Sequence, residues 1–353
     1  MSSYTFSRNF KAAVLIKQKQ SLKIMNIKMP TYLDQHQVLV KIIYTGICGS
    51  QIGEIDGVKG KDNYLPHLLG HEGSAEVIKI GPKVKSLRKG DYVTLHWKPN
   101  DIKNAKPYVY SDGKNSINSG NVTSFSEYSV VSENRLTKIS KKIALNKISA
   151  LLGCCLLTGF GVVKNDLKVK KTDKVAIFGV GGLGLANIIY LKKIGVRVIL
   201  SIDIDEQKLK KAKTLGSNFS FNLKKEEKKL LKKKIQELGI NKIIENTGST
   251  SNIEYAYESI SSKGTLCLVG VPPYNKKIKI HTLQIHFGKR IIGSHGGTTN
   301  PKKDINYYLK KFKKNNFREL KPLIAKVGKL NLINKAIKEI KSAKINGRYL
   351  IRL

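Results

Sequence analysis

The sequence predicts an α/β protein in which a doubly wound parallel sheet of the Rossmann type is joined to a second, β-rich domain. Three observations carry this. Short alternating apolar runs broken by Gly and Pro fill the first ~150 residues. The apolar spacing turns helical near Asn146. A glycine-rich turn then stands between an apolar strand and an apolar helix.

In order along the chain, the runs KAAVLI, QVLVKIIY, SAEVIKIG, DYVTLHW and EYSVVS alternate as half-buried strands do. Gly81-Pro82 and Lys89-Gly90-Asp91 supply turn signals between them. From Asn146, the residues Ile148, Leu151, Leu152 and Cys155 are spaced like one helix face. Strand VAIFG, an apolar helix, strand RVILSID and a Lys-rich helix follow, and strands separated by helices make a parallel sheet. KIIENTG and TLCLVGV extend it, and the last ~55 residues return to amphipathic helix and a closing strand, GRYLIRL. The expected domains are therefore 1–155 with 296–353, interrupted by a Rossmann unit at 156–295.

A chain of 353 residues with 41% hydrophobic content buries enough surface for two domains, which excludes disorder as the default. The first twenty residues mix Arg8, Lys11, Lys17 and Lys19 among short apolar runs, unlike a signal peptide, and no apolar run reaches the ~20 residues that cross a bilayer. Cys48, Cys154, Cys155 and Cys267 show neither zinc-finger spacing nor an extracellular cue, so a reducing, cytoplasmic setting is expected. The net charge of +40 raises the question of nucleic acid. The excess is nearly all Lys, spread from end to end, whereas base and phosphate forks lean on Arg, and the few arginines do not cluster. Solvated lysine faces are the expectation, with no specific nucleic acid and no membrane as partner.

Gly179, Gly181, Gly182 and Gly184 directly follow VAIF and directly precede LANIIYLKKIG. A lone GxGxxG says little, but in this setting the glycines allow a tight turn, close approach of backbone to a pyrophosphate, and close helix–strand packing. The helix N-terminus faces the phosphates. Asp203, at the end of the next strand, is placed to accept from adenosine ribose hydroxyls and to repel a 2′-phosphate, which favours NAD over NADP. With Asp205 and Glu206 beside it, a plain turn acid is the competing reading.

Outside this unit, Cys48 lies in TGICGSQ, His71 in LLGHEGSAEV and Cys154 in LLGCCLLTGFG. Singly, each has a dull explanation as a packed thiol or a chance histidine. Together, two thiolates and an imidazole suit zinc and leave one tetrahedral position open, the mark of a catalytic rather than a structural ion. Glu72, adjacent to His71, is either a further ligand or outer support, or the partner in an ordinary ion pair.

These segments resemble those of the zinc-dependent alcohol dehydrogenase family of the medium-chain dehydrogenase/reductase superfamily, with its GxCxSD-type motif, GHE motif, third ligand before TGxG, and GxGGxG. The similarity runs from KAAVL through GDYV, FSEYSVV and VGVPP to GRYLIRL. It implies a GroES-like catalytic domain beside the Rossmann unit. It also implies that Cys48, His71 and Cys154 hold one catalytic zinc and that Ser50 relays the substrate proton. By the same resemblance Thr158 and Val269 line the nicotinamide, Lys208 approaches the ribose with Asp203, and Arg348 faces the pyrophosphate. Cys155 and Cys267 are read as packing. A homodimer or homotetramer is expected.

The departures are specific. Gln51 stands where many members have Asp, so an amide oxygen or another acid must replace that carboxylate. Gly53 stands where some members end the proton relay with His. No cysteine occurs between 95 and 125, so the structural zinc of some members is not expected, and aromatic residues and turns must hold 97–120 instead. The implied reaction is reversible transfer of hydride between an alcohol (primary, secondary or polyol) and NAD. Pocket walls are expected near Ser50, Trp97, Phe125 and His295, with Trp97 and His96 themselves read as packing. Two other readings stay open: an NAD(P)H-dependent reductase of activated double bonds, whose relatives generally lack paired thiolates, and a polyanion-binding protein that keeps an enzyme fold.

Overall fold

The structure is a computed structural model that describes residues 9–100 and 104–353; Arg8 and residues 101–103 of the cysteine-free stretch lie outside the described residues. The chain divides into two compact units, Met1–Cys154 with Asn300–Phe317 and Ile324–Leu353, and Cys155–Thr299 with Arg318–Leu323. The return to the first unit thus falls at 299/300, against 295/296 expected from sequence. The turn Gly296–Thr298 explains the difference, because its Gly297 lies so close to Gly161 that neither has room for a Cβ. Arg318–Leu323 belongs to the second unit as well, where Glu319 pairs with Lys193 at 2.8 Å.

In the second unit six parallel strands are ordered Phe219–Asn222, Val198–Asp203, Lys174–Phe178, Lys242–Glu245, Thr265–Leu268, Arg290–Gly293. In chain order this is third, second, first, fourth, fifth, sixth, so the order reverses beside the first strand, where a doubly wound sheet opens its ligand crevice. One face buries Ala176, Phe178, Leu200, Ile202, Ile243 and Leu266 against Leu231, Ile235, Ile253 and Tyr257 of the covering helices. The lysine runs sit on outer faces: helix Lys228–Glu237 buries only Leu231 and Ile235.

The first unit is built on a seven-stranded sheet whose centre is strand Gln37–Gly46, paired with Gly73–Ile80, Tyr128–Ser132 and Arg348–Arg352. Its side chains alternate as a strand requires. Val38, Val40 and Ile42 join a core with Ala75, Val77, Val93 and Leu95, whereas Leu39 packs on the other side with Phe10, Val14, Leu68 and Val130. The stretch 97–120 is held, in its described part, by the hairpin Tyr110–Ser111 with Ser116–Ile117 and by edge contacts of Tyr110 with Tyr108 and Phe10, at 4.8 and 5.9 Å. Among the described residues, no helix is long and apolar enough to cross a membrane.

Candidate catalytic metal centre

Three separate devices in the first unit present the metal candidates. Cys48 lies two residues past the end of the central strand and caps helix Gly49–Ile55 in an extended conformation, with its backbone N–H donated to the Gln51 side-chain oxygen at 3.3 Å. Gln51 is buried, so its amide oxygen steadies the turn that carries Cys48. His71 follows Gly70, whose φ of +97° and closeness to Ser124 admit no side chain. The next carbonyl, that of Glu72, accepts from Thr45 Oγ1 at 2.9 Å and Ser124 Oγ at 3.1 Å. Cys154 follows Gly153, which lies on the carbonyl of Leu95 with no space for a Cβ. The helical run expected from Asn146 is broken here, into a 3-10 turn Lys147–Leu151 and helix Cys155–Gly161, and the break places Cys154 between them.

The ligand atoms of Cys48, His71 and Cys154 all lie within 4.8 Å of one another, and His71 Nε2 is 3.3 Å from Cys154 Sγ. Tetrahedral zinc, with bonds of about 2.0–2.3 Å to nitrogen and sulfur, sets ligand-to-ligand edges of roughly 3.5–3.8 Å. The trio thus fits that ion by donor type and spacing, with one vertex left open. Cys154 donating its hydrogen to Cys48 holds the Cys48 thiol well below its usual range despite burial, helped by the charge of Arg348 and by His71. The same shared hydrogen, with burial and the charges of Cys48 and Glu72, pushes Cys154 up. Burial opposes charge on His71, but its hydrogen bond and charge interaction with Cys48, and the charge of Glu72, raise it on balance. The cluster therefore holds protons that a dication would displace on binding.

Glu72 is fully buried beneath Gly46, where a Cβ would collide with its carboxylate, and it is ion-paired with the buried Arg348. Of the two readings open for Glu72, the structure holds the ion pair, and Glu72 stands outside the three-ligand cluster. Arg348, expected at a pyrophosphate, is the partner of Glu72, a pairing of residues 276 apart that no local pattern announces. Ser50 is exposed, and its Oγ donates to Cys48 Sγ at 3.4 Å. His96 is fully buried between the Lys98 carbonyl and Thr137 Oγ1, at 2.6 and 3.0 Å, a packing role.

In the second unit, Gly179 adopts φ +81°, and Gly184 lies against the Gly179 carbonyl with no room for a Cβ. Helix Gly182–Lys193 starts directly after this turn. Asp203 ends its strand nearly buried, accepting from Val180 N–H at 2.9 Å and from the N–H groups of Ile204 and Asp205. It thereby ties the glycine turn to the neighbouring strand. Lys208 lies in the first turn of helix Glu206–Leu215, Thr158 is buried in Cys155–Gly161, and Val269 follows strand Thr265–Leu268 with its N–H on the Glu245 carbonyl at 2.8 Å. Cys155 is buried with its thiol on the Gly182 carbonyl at 3.5 Å, and burial pushes Cys267 up to about 12. Sequence reasoning missed Glu245, a buried carboxylate raised by burial and offset by Thr247 and Gly248. It also missed a group formed by Glu54, Asp62 and His67.

A GroES-like unit in which two sulfurs and one imidazole gather, in one chain with a glycine-turn Rossmann unit, defines a dehydrogenase of the zinc-binding class. Comparison with known proteins agrees. Residues 34–141 match the alcohol dehydrogenase GroES-like domain family and 182–314 the zinc-binding dehydrogenase family. Alcohol dehydrogenase class-3 of Caenorhabditis elegans is 30% identical over 321 residues, covering 82% of this chain and 83% of that protein. Alcohol dehydrogenase 6 of Rattus norvegicus is 28% identical over 94% of this chain and 95% of that protein. The crystal structure of benzyl alcohol dehydrogenase from Acinetobacter calcoaceticus superposes with TM-score 0.86 at 25% identity, over 98% of this chain and all of that one. An alcohol dehydrogenase zinc-binding domain protein from Burkholderia ambifaria gives TM-score 0.89, also at 25% identity, over 98% and 99%. The chain belongs to the zinc-dependent alcohol dehydrogenase family of the medium-chain dehydrogenase/reductases and is an oxidoreductase acting on alcohols or the matching carbonyl compounds.

Proposed function

We propose that this enzyme carries one catalytic zinc on Cys48, His71 and Cys154 and passes hydride between a primary, secondary or polyol alcohol and NAD. The observation that carries the reading is the meeting of two sulfurs and one imidazole, from positions 48, 71 and 154, within 4.8 Å. Zinc held there supplies Lewis acidity at its open vertex, easing loss of an alcohol proton. Ser50, hydrogen-bonded to a ligand sulfur, takes and passes that proton. Glu72, ion-paired with Arg348, fixes the segment between His71 and strand Gly73–Ile80. The glycine turn at 179–184 cradles the pyrophosphate, and Asp203 receives the ribose hydroxyls, which favours NAD because a 2′-phosphate would meet its charge. Thr158, Val269 and Lys208 complete the dinucleotide site in this reading.

The test is a screen of alcohols, polyols and aldehydes against NAD and NADP, with zinc measured on the same sample. About one zinc per chain and NAD-dependent turnover are expected. Absence of zinc, or reduction of activated double bonds without alcohol turnover, overturns the reading.

A further inference from the structure

A cavity of about 540 Å3 in the first unit is lined by residues that include His71, Gln51, Glu54, Asp62, Tyr64 and His67. Helix Gly49–Ile55 carries both Ser50 and Glu54, four residues apart and so on one stripe, with Cβ atoms about 5–6 Å apart. Glu54 also lies within 4.8 Å of the ligand atoms of Asp62 and His67. These two are saturated by each other: His67 pairs through Nε2 with Asp62 at 2.7 Å and meets the Leu68 carbonyl through Nδ1 at 2.8 Å, while Asp62 accepts Tyr64 N–H at 2.9 Å. The Glu54 carboxylate has no hydrogen bond among the described residues. Lys59 and Lys61 line the same cavity.

We propose that Glu54 ends the proton path that Ser50 begins, in place of the histidine missing at Gly53, with the His67–Asp62 pair fixing the wall beside it. The inference rests on the reading under Proposed function. In the oxidation, the alcohol O–H bond breaks and its proton moves to Ser50 Oγ, as the proton already on Ser50, which is exposed and does not itself line the cavity, passes through water along the helix to the Glu54 carboxylate one turn on. A bound nicotinamide would accept the hydride from the carbinol carbon as the carbonyl forms, and Glu54 gives its proton to bulk water. Glu54 acts through Ser50 and water, so it is a relay residue.

The test compares zinc-loaded wild type with Glu54→Gln and Glu54→Ala. Proton release is followed with an indicator dye as trifluoroethanol, an alcohol that is not oxidised, binds the NAD complex; kcat, zinc content and NAD affinity are measured alongside. We expect release and kcat to slow by at least about tenfold, the low side of general acid–base effects, with zinc and NAD binding unchanged. Added imidazole restores the rate. Gly53→His in the Glu54→Gln background restores it too, since a Cβ at Gly53 comes no closer than 3.9 Å to Val58. Unchanged release in both variants, or slowing that neither imidazole nor Gly53→His repairs, overturns the inference while alcohol turnover by the wild type upholds the parent reading. A second zinc per wild-type chain that the Glu54 variants lose also overturns it, because the cluster is then a metal site. A zinc-loaded wild type that oxidises no alcohol refutes both.

Discussion

Arg348→Met tests the account of the buried ion pair behind the metal cluster. Glu72 has no exposed surface, and Arg348 is 8% exposed. Removing the guanidinium strands a carboxylate beneath Gly46, with about 3–5 kcal/mol of stability lost when one partner of such a pair is deleted. That is roughly two to four powers of ten in the folding equilibrium, in a fold whose total stability is of the order of 5–15 kcal/mol. Glu72→Met with Arg348→Met removes both charges, and replacing a buried pair by apolar residues is close to neutral. The double variant is therefore expected to recover most of the loss. The chain has a single tryptophan, Trp97, and it lies in this unit, so urea unfolding followed by its fluorescence reports the right transition. Because the charge of Arg348 also lowers the Cys48 thiol, the single variant should take up zinc only at higher pH. A loss below about 1 kcal/mol, the range of an exposed pair, or a double variant no more stable than Arg348→Met, refutes the reasoning. Unchanged NAD affinity in the same variant counts against a pyrophosphate role for Arg348.

Cys48→Ser, His71→Ala or Cys154→Ser should each abolish turnover and tight zinc binding while NADH binding, read by fluorescence titration, survives; activity in any of the three defeats the zinc assignment. Gly153→Ala drives a methyl group into the Leu95 carbonyl, so it should cost about 1–3 kcal/mol and lower zinc occupancy, checked by melting temperature and metal analysis. Burial lowers the His96 pKa from 6.5 to about 4, so between those values the unfolded chain binds the extra proton and stability falls as pH falls. That amounts to about 3 kcal/mol by pH 4; His96→Gln should flatten this slope, and an unchanged slope rejects the cause. Asp203→Ser should shift the kcat/KM ratio from NAD toward NADP by about tenfold, with no shift arguing that Asp203 only ties the glycine turn.

Much of the site was legible because its signals are local. The glycines at 179–184 are demanded by a turn and two close approaches inside one strand–turn–helix unit, and donor types announce Cys48, His71 and Cys154 in short motifs. What lay hidden depends on remote contacts or weak patterns. Strands Phe219–Asn222 and Arg290–Gly293 are four residues each and lie at the two edges of their sheet, too short for periodicity to show. Glu54 and His67 stand in a polar, turn-rich stretch, and only the fold brings them to one wall.

By itself the sequence determined the α/β class, the glycine-rich turn and the three soft donors as metal candidates, because side-chain period and ligand chemistry are properties of short segments. Tertiary structure decided that those donors meet, that Arg348 pairs with Glu72, that Gln51 steadies Cys48, and that a carboxylate without a hydrogen bond among the described residues lies one helical turn from Ser50. The physical reason is that convergence, burial and charge pairing arise from atoms tens to hundreds of residues apart, and no window along the chain contains both partners.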